Sequence, residues 1–124
     1  MGVSYGNGFY GKATKLHSKI VRERKKCENC GESGYRNLQC AHIISRRYSN
    51  TRTKEENAFC LCARCHRYFS DWPVEFAKFT LKMIGETEYQ RLKKSAESKN
   101  VVNWETEYHR LAKIAKDLGI ERRG

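Results

Sequence analysis

The chain is 124 residues long, enough for one domain with a modest core and nothing that calls for a second. Lysine and arginine number 25 against 14 acidic residues, and the resulting charge of +11 points to a polyanionic partner, nucleic acid first. No apolar run approaches the ~20 residues needed to span a bilayer, "MGVSYGNGFYGKATK" lacks the apolar centre of a secretory signal, and Gly6 stands where N-myristoylation needs Ser or Thr, so a cytoplasmic protein is expected.

Residues 1 to 10, rich in glycine and tyrosine and without a period, read as a loose arm. From Lys12 to Lys26 a helix is expected, with Ala13, Leu16 and Ile20 on one face and Lys12, Lys15, Lys19, Arg22 and Lys26 as a separate basic stripe. That stripe either tracks phosphates or is a solvated face. "LQCAHII" reads as a strand, "SRRYSNTRTKEEN" as a basic, turn-rich loop and "AFCLC" as a second strand, together a hairpin. "CARCHRYF" opens a helix. Ser70 and Asp71 offer a cap and Pro73 suits a first helical turn, after which Trp72, Phe76, Phe79 and Met83 recur at core spacing up to a stop at Gly85. Further helices are expected around Glu86 to Ser98, with Tyr89, Leu92 and Ala96 on one side, and from about Trp104 to Leu118, where Trp104, Tyr108, Leu111, Ala115 and Leu118 favour packing on the domain over self-association.

Six cysteines in a reducing compartment suggest metal rather than disulfides. Cys27-Glu-Asn-Cys30 and Cys62-Ala-Arg-Cys65 are two Cys-X-X-Cys knuckles, and four thiolates are what a closed structural zinc site takes. Gly31 permits the left-handed turn that a knuckle uses. Cys40 and Cys60 fall on the strand faces of His42 and Cys62 and are expected as small buried hydrophobes, with Cys60 also a rival to Cys62 as ligand. His17 and His109 read as structural or merely exposed. His66 differs, because the preceding Cys65 would fix it beside the knuckle, where it could hold a second metal.

"CENCG", "LQCAHIISRR" and "ENAFCLCARCHRYF" together resemble the zinc-stabilised HNH endonucleases, above all the small phage-encoded ones, over about residues 25 to 72. The resemblance implies an α+β fold: a ββα-metal core over 27–72 stapled by a four-cysteine zinc, preceded by a basic helix at 11–26 and followed by C-terminal helices over 73–124, all within one domain spanning 1–124. It implies a metal-dependent DNA endonuclease with His42 as general base, Asn57 orienting it or helping to hold metal, and His66 as ligand to a catalytic divalent ion such as Mg²⁺, Mn²⁺ or Ni²⁺. Phosphodiester hydrolysis independently asks for a base of near-neutral pKa and a cation on the scissile phosphate. Many members place an aspartate or histidine ligand just before the base, where this chain has Ala41. Asp71 and Asn57 are the candidates for the missing ligand.

Arg46, Arg47, Arg52 and Lys54, with Tyr48 among them, are expected to grip DNA phosphates together with Lys12, Lys15, Lys19 and Arg22. The DNA would be double-stranded or branched, and the resemblance implies host cytoplasm and companions among phage DNA-processing or packaging proteins. The alternative is a non-catalytic zinc-containing nucleic-acid-binding module, with an RNA-binding ribbon of ribosomal type behind it. Both account for the charge and the knuckles but not for His42, Asn57 and His66.

Overall fold

The computed structural model describes residues 8–120. The first seven residues of the expected arm lie outside this range, while Phe9 and Tyr10 are already helical. At the centre, β1 (Leu38–His42) and β2 (Ala58–Cys62) pair antiparallel, with Leu38 opposite Cys62, Cys40 opposite Cys60 and His42 opposite Ala58. Strand alternation puts Leu38, Cys40 and His42 on one face and Gln39 and Ala41 on the other. α3 (Ala63–Asp71) leaves β2 without a connecting loop, which completes a ββα unit.

β2 is buried at all five positions, as its unbroken apolar composition requires. α1 (Phe9–Arg22) covers one face of the sheet, burying Ala13, His17, Ile20 and Val21 along a single stripe. α3 and α4 (Pro73–Ala96) cover the other, where Phe59 meets Phe76 and Phe79 at ring-centroid distances of 6.1 and 4.9 Å. The outer edge of β2 is closed by the first knuckle: Glu28 donates its backbone N–H to the Cys60 carbonyl at 2.8 Å, and its carboxylate accepts the Cys60 N–H at 2.7 Å.

Between the strands the chain forms a one-turn helix, α2 (Ser49–Arg52), and a 3₁₀ turn (Glu55–Asn57). α4 carries Pro73 in its first turn and breaks at Gly85, whose φ of +84° is open to glycine, so the two expected helices are the halves of one kinked element. Leu92 and Ala96 of its second half pack with Ile44. The expected apolar stripe holds for Phe76 and Phe79 only. Trp72 is 59% exposed because it joins α3 to α4 outside helical geometry, and Met83 is 42% exposed as the helix turns away toward its break. Phe69 of α3, stacked 4.9 Å from Phe79, supplies the core in their place. Ser70 and Asp71 do not cap α4, because α3 continues through them.

α5 (Trp104–Asp117), capped by Asn103 accepting the Thr106 N–H at 3.0 Å, lays Leu111 and Ala115 against Ala13 and Ile20 of α1. A polar clasp ties it to the turn before β2. Thr53 donates to Glu107 at 2.6 Å, while Arg110 reaches Glu55 at 2.9 Å, Glu107 at 2.6 Å and the Thr53 carbonyl at 3.2 Å. Burial pushes the Glu107 carboxyl up, yet the bonds from Arg110 and Thr53 more than offset it and leave it below its ordinary value of 4.5. A depressed carboxyl stabilises the fold above its unfolded pKa and loses that contribution as pH falls through its folded one. Glu107→Gln should therefore cost about 1–2 kcal/mol at neutral pH and flatten the acid limb of stability below about pH 4.5, measured by urea unfolding across pH. An unchanged acid limb would show that the clasp does not hold α5.

Candidate active site

The two knuckles meet. One Sγ from each of Cys27, Cys30, Cys62 and Cys65 lies within 4.8 Å of the other three, and Cys30 and Cys62 are 3.7 Å apart. Zinc–sulfur bonds of about 2.3 Å in a tetrahedron give sulfur–sulfur edges of about 3.8 Å, so the cluster fits a zinc ion. The surroundings are those of thiolates. Backbone N–H groups of Cys30 and Cys65 point at Cys27 and Cys62 at 3.5 and 3.4 Å, and the Asn29 amide donates to Cys65 at 3.3 Å. Burial, followed by hydrogen bonding among the thiols, pushes Cys65 up to about 12, a cost that a bound cation reverses. Gly31 holds the first knuckle with φ +85°. Cys60 is not among the four. It is fully buried in the apolar core, as is expected of a small hydrophobe.

Asn57 is fully buried. Its Oδ1 accepts the Ile44 N–H at 2.8 Å, and its Nδ2 donates to the carbonyls of Ile44 and Thr51 at 3.1 and 3.0 Å. Both ends of the amide are thus spent on shaping the loop that follows β1. Asn57 is thus the loop's brace. The brace sets the backbone at Arg52, whose carbonyl accepts the Nε2 proton of His42 at 2.8 Å. Nδ1 of His42 then carries the lone pair. Burial pushes this imidazole down to about 4, so it is neutral near pH 7.

His42 opens on a cleft of about 270 Å³ lined by Thr14, Ser18 and Arg22 of α1, Leu38, Gln39 and Cys40 of β1, and Arg46. Arg22 and Arg46 give its border positive charge. Behind His42 stands His17, 1% exposed, its ring centroid 5.3 Å away. The sequence carried a signal for this residue: four positions after Ala13 and three before Ile20, it lies on the buried stripe of α1 rather than among the lysines.

His66 is on the opposite side. It sits on α3, where its Nδ1 donates to Gln39 Oε1 at 2.6 Å, and burial lowers its pKa. Gln39 and His42 project from opposite faces of β1, so His66 and His42 lie on opposite faces of the hairpin, although Gln39 also lines the cleft onto which His42 opens. Among the described residues no further His, Cys, Asp or Glu joins His66 in a three-ligand cluster. Asp71 is exposed at the end of α3 and belongs to no such cluster, and Ala41 is buried in the core.

Of the expected DNA-contacting side chains, Lys12, Lys15, Arg46 and Arg47 are exposed, and Lys19 and Arg22 are half-buried on α1. Lys12 lies over the Phe9 ring and Arg47 over Tyr48. Arg52 differs: its guanidinium stacks 4.8 Å from the Tyr10 ring and donates to the Tyr10 hydroxyl, which makes it a tie between α2 and α1. His109 is exposed, 3.9 Å from Glu105.

The four sulfurs come from segments far apart in sequence, so removing one should dismantle the core. Cys62→Ser should abolish cooperative thermal unfolding, and a strong chelator should do the same to the unaltered chain, since zinc held by such clusters contributes ~10–16 kcal/mol of folding free energy. A chelated protein that still unfolds cooperatively at its original temperature would remove zinc from the account.

The model of the HNH endonuclease family matches residues 27–70. Searches of curated proteins and of solved structures found no match. The match begins at the first knuckle cysteine and ends within α3, so it takes in both strands, all four clustered sulfurs, His42, Asn57 and His66. Residues 27–70 of this chain match the HNH endonuclease family, and the four-cysteine cluster that they contain fits zinc.

Proposed function

We propose that the chain is a metal-dependent DNA endonuclease that hydrolyses phosphodiester bonds, with His42 as general base. The observation that carries this reading is the setting of His42: a neutral imidazole, fixed through Nε2 by the Arg52 carbonyl, at the mouth of a cleft that two arginines border inside an HNH domain. A water bound beside a phosphate in that cleft would give its proton to Nδ1. Asn57 acts through the loop that carries the anchoring carbonyl and is a positioning residue. His66 would present its Nε2 lone pair to a divalent ion, since its Nδ1 proton is committed to Gln39, the arrangement that orients metal-bound imidazoles. With so few protein donors near it, such an ion would depend on DNA phosphate and water to fill its shell, and it would supply charge to the scissile phosphate and the departing oxygen. A strand laid across the β1 edge would come within reach of both sides. The resemblance of the motifs to phage-encoded enzymes supports a place in phage DNA processing or packaging, in the host cytoplasm. For the described residues, no helix is long and apolar enough to cross a membrane.

The separation of His66 from His42, together with Ala41, favours a second reading, a zinc-braced nucleic-acid-binding module that does not cut.

Plasmid, single-stranded and branched DNA incubated with Mg²⁺, Mn²⁺, Ni²⁺ or EDTA separates the two. His42→Ala should keep folding and DNA affinity and lower cleavage by ~10² to 10⁴-fold. His66→Ala should also lose cleavage and regain part of it at raised Mn²⁺ or Ni²⁺, a rescue His42→Ala should not share. Tight binding with no cleavage of any substrate would establish the binding module instead.

Charge makes a separate forecast. Affinity for unrelated duplexes should fall steeply with salt, and changing Lys15, Lys19 and Arg46 together to alanine should reduce the slope by up to ~3 units in log–log form. A slope that does not move would return these residues to a solvated surface.

A further inference from the structure

The described residues include a second convergence of metal-ligating atoms, on the α1 side of the hairpin and apart from the four-cysteine cluster. One ring nitrogen each of His17 and His42 and the sulfur of Cys40 lie within 4.8 Å of one another. These residues come from α1 and from alternate positions of β1, and Cys40 and His42 share the face that α1 covers.

Two observations indicate a ligand set and not a chance grouping. First, both imidazoles are anchored in the same way: His17 Nε2 donates to the Lys54 carbonyl at 2.9 Å and His42 Nε2 to the Arg52 carbonyl at 2.8 Å. A backbone carbonyl on the far nitrogen is the usual device that fixes a metal-bound histidine and leaves the near nitrogen as donor. Second, the His17 Nδ1 to Cys40 Sγ separation is 3.8 Å, against about 3.5 Å for the edge of a tetrahedron built on zinc–nitrogen bonds of about 2.0 Å and a zinc–sulfur bond of about 2.3 Å.

We propose that His17, Cys40 and His42 form a second metal site, which takes a borderline divalent ion of the zinc and cobalt type. Two nitrogens and one sulfur select such ions over Mg²⁺, which prefers oxygen. Three protein ligands leave a fourth position, and the cleft beside Cys40 and His42 is where water or an anion would fill it. On binding, the Cys40 S–H proton passes to solvent and its electron pair goes to the metal. The site follows from geometry alone. Its consequence rests on the role of His42 proposed above: a Nδ1 lone pair given to a metal cannot accept a proton from water, so filling the site withholds the base.

Full-length protein equilibrated with excess Zn²⁺ and freed of unbound metal should carry two zinc ions per chain, against one in Cys40→Ser and in His17→Asn, the remaining one being that of the four cysteines. One zinc in the unaltered chain, or two in both variants, would overturn the site. Should the variants fail to fold, a Co²⁺ titration of the unaltered protein decides. The second equivalent should add tetrahedral absorption with thiolate charge transfer weaker than that of the first, in keeping with one sulfur against four, and a spectrum without it would overturn the site. DNA cleavage in Mg²⁺ should decline as the second equivalent of Zn²⁺ binds. Cleavage that continues undiminished with both ions bound would overturn the link to His42. A protein that never cleaves refutes the nuclease reading and leaves the metal count to judge the site.

Discussion

Four thiolates confined within one small volume repel one another, and only a cation at their centre makes the arrangement favourable. That requirement organises the chain, because the four sulfurs belong to two segments separated by the whole hairpin. With the two knuckles brought together, the first lies at the outer edge of β2, where Glu28 completes the hydrogen bonding of Cys60 and Arg24 spans Glu28, the Ala58 carbonyl and the Glu55 carbonyl. The second knuckle fixes the first turn of α3, with Cys62 capping the helix through the Cys65 N–H. A two-stranded sheet is marginal by itself. Here one edge is closed by the first cysteine knuckle and both faces are closed by helices.

Much of this was legible in the sequence because it is local or periodic. The knuckles, both strands, the start of α3, Pro73, the interruption at Gly85 and the span of α5 each declare themselves within a few residues. Three things were not. Trp72 and Met83 match a helical period that the chain does not maintain, since one lies between helices and the other leads into a break, and spacing alone carries no record of where a helix turns. Arg52 looks like its basic neighbours, and only the return of α1 brings Tyr10 beneath it. His17 resembles an isolated histidine until the fold places α1 across the sheet and sets it beside Cys40 and His42, 23 and 25 positions later.

The candidate site divides along the same lines. His42, Asn57 and His66 could be named from motif spacing, yet spacing does not say which face of a strand a side chain occupies relative to a helix that follows. The register does: His42 belongs to the α1 face, and His66 to the α3 face through Gln39. Asn57 is fully buried, with both ends of its amide bonded to the loop after β1. The candidate site is built around the edge of β1 that faces away from β2, with cationic side chains on α1 and in the loop after β1.

The turn from Arg52 to Glu55 joins these parts in a way that composition does not reveal. Its successive carbonyls are taken by His42, by Arg110, by His17 and by Arg24, so four separate regions of the protein are keyed to four consecutive peptide units. Any residue other than one that distorts the backbone provides the same carbonyl. The carbonyl contacts therefore depend on the length of the turn, and the insertion or deletion of a single residue would shift every carbonyl by one partner at once, whereas a substitution acts only through the side-chain ties of Arg52, Thr53 and Glu55. Among related chains the length of such a segment would be held more strictly than the identity of its residues.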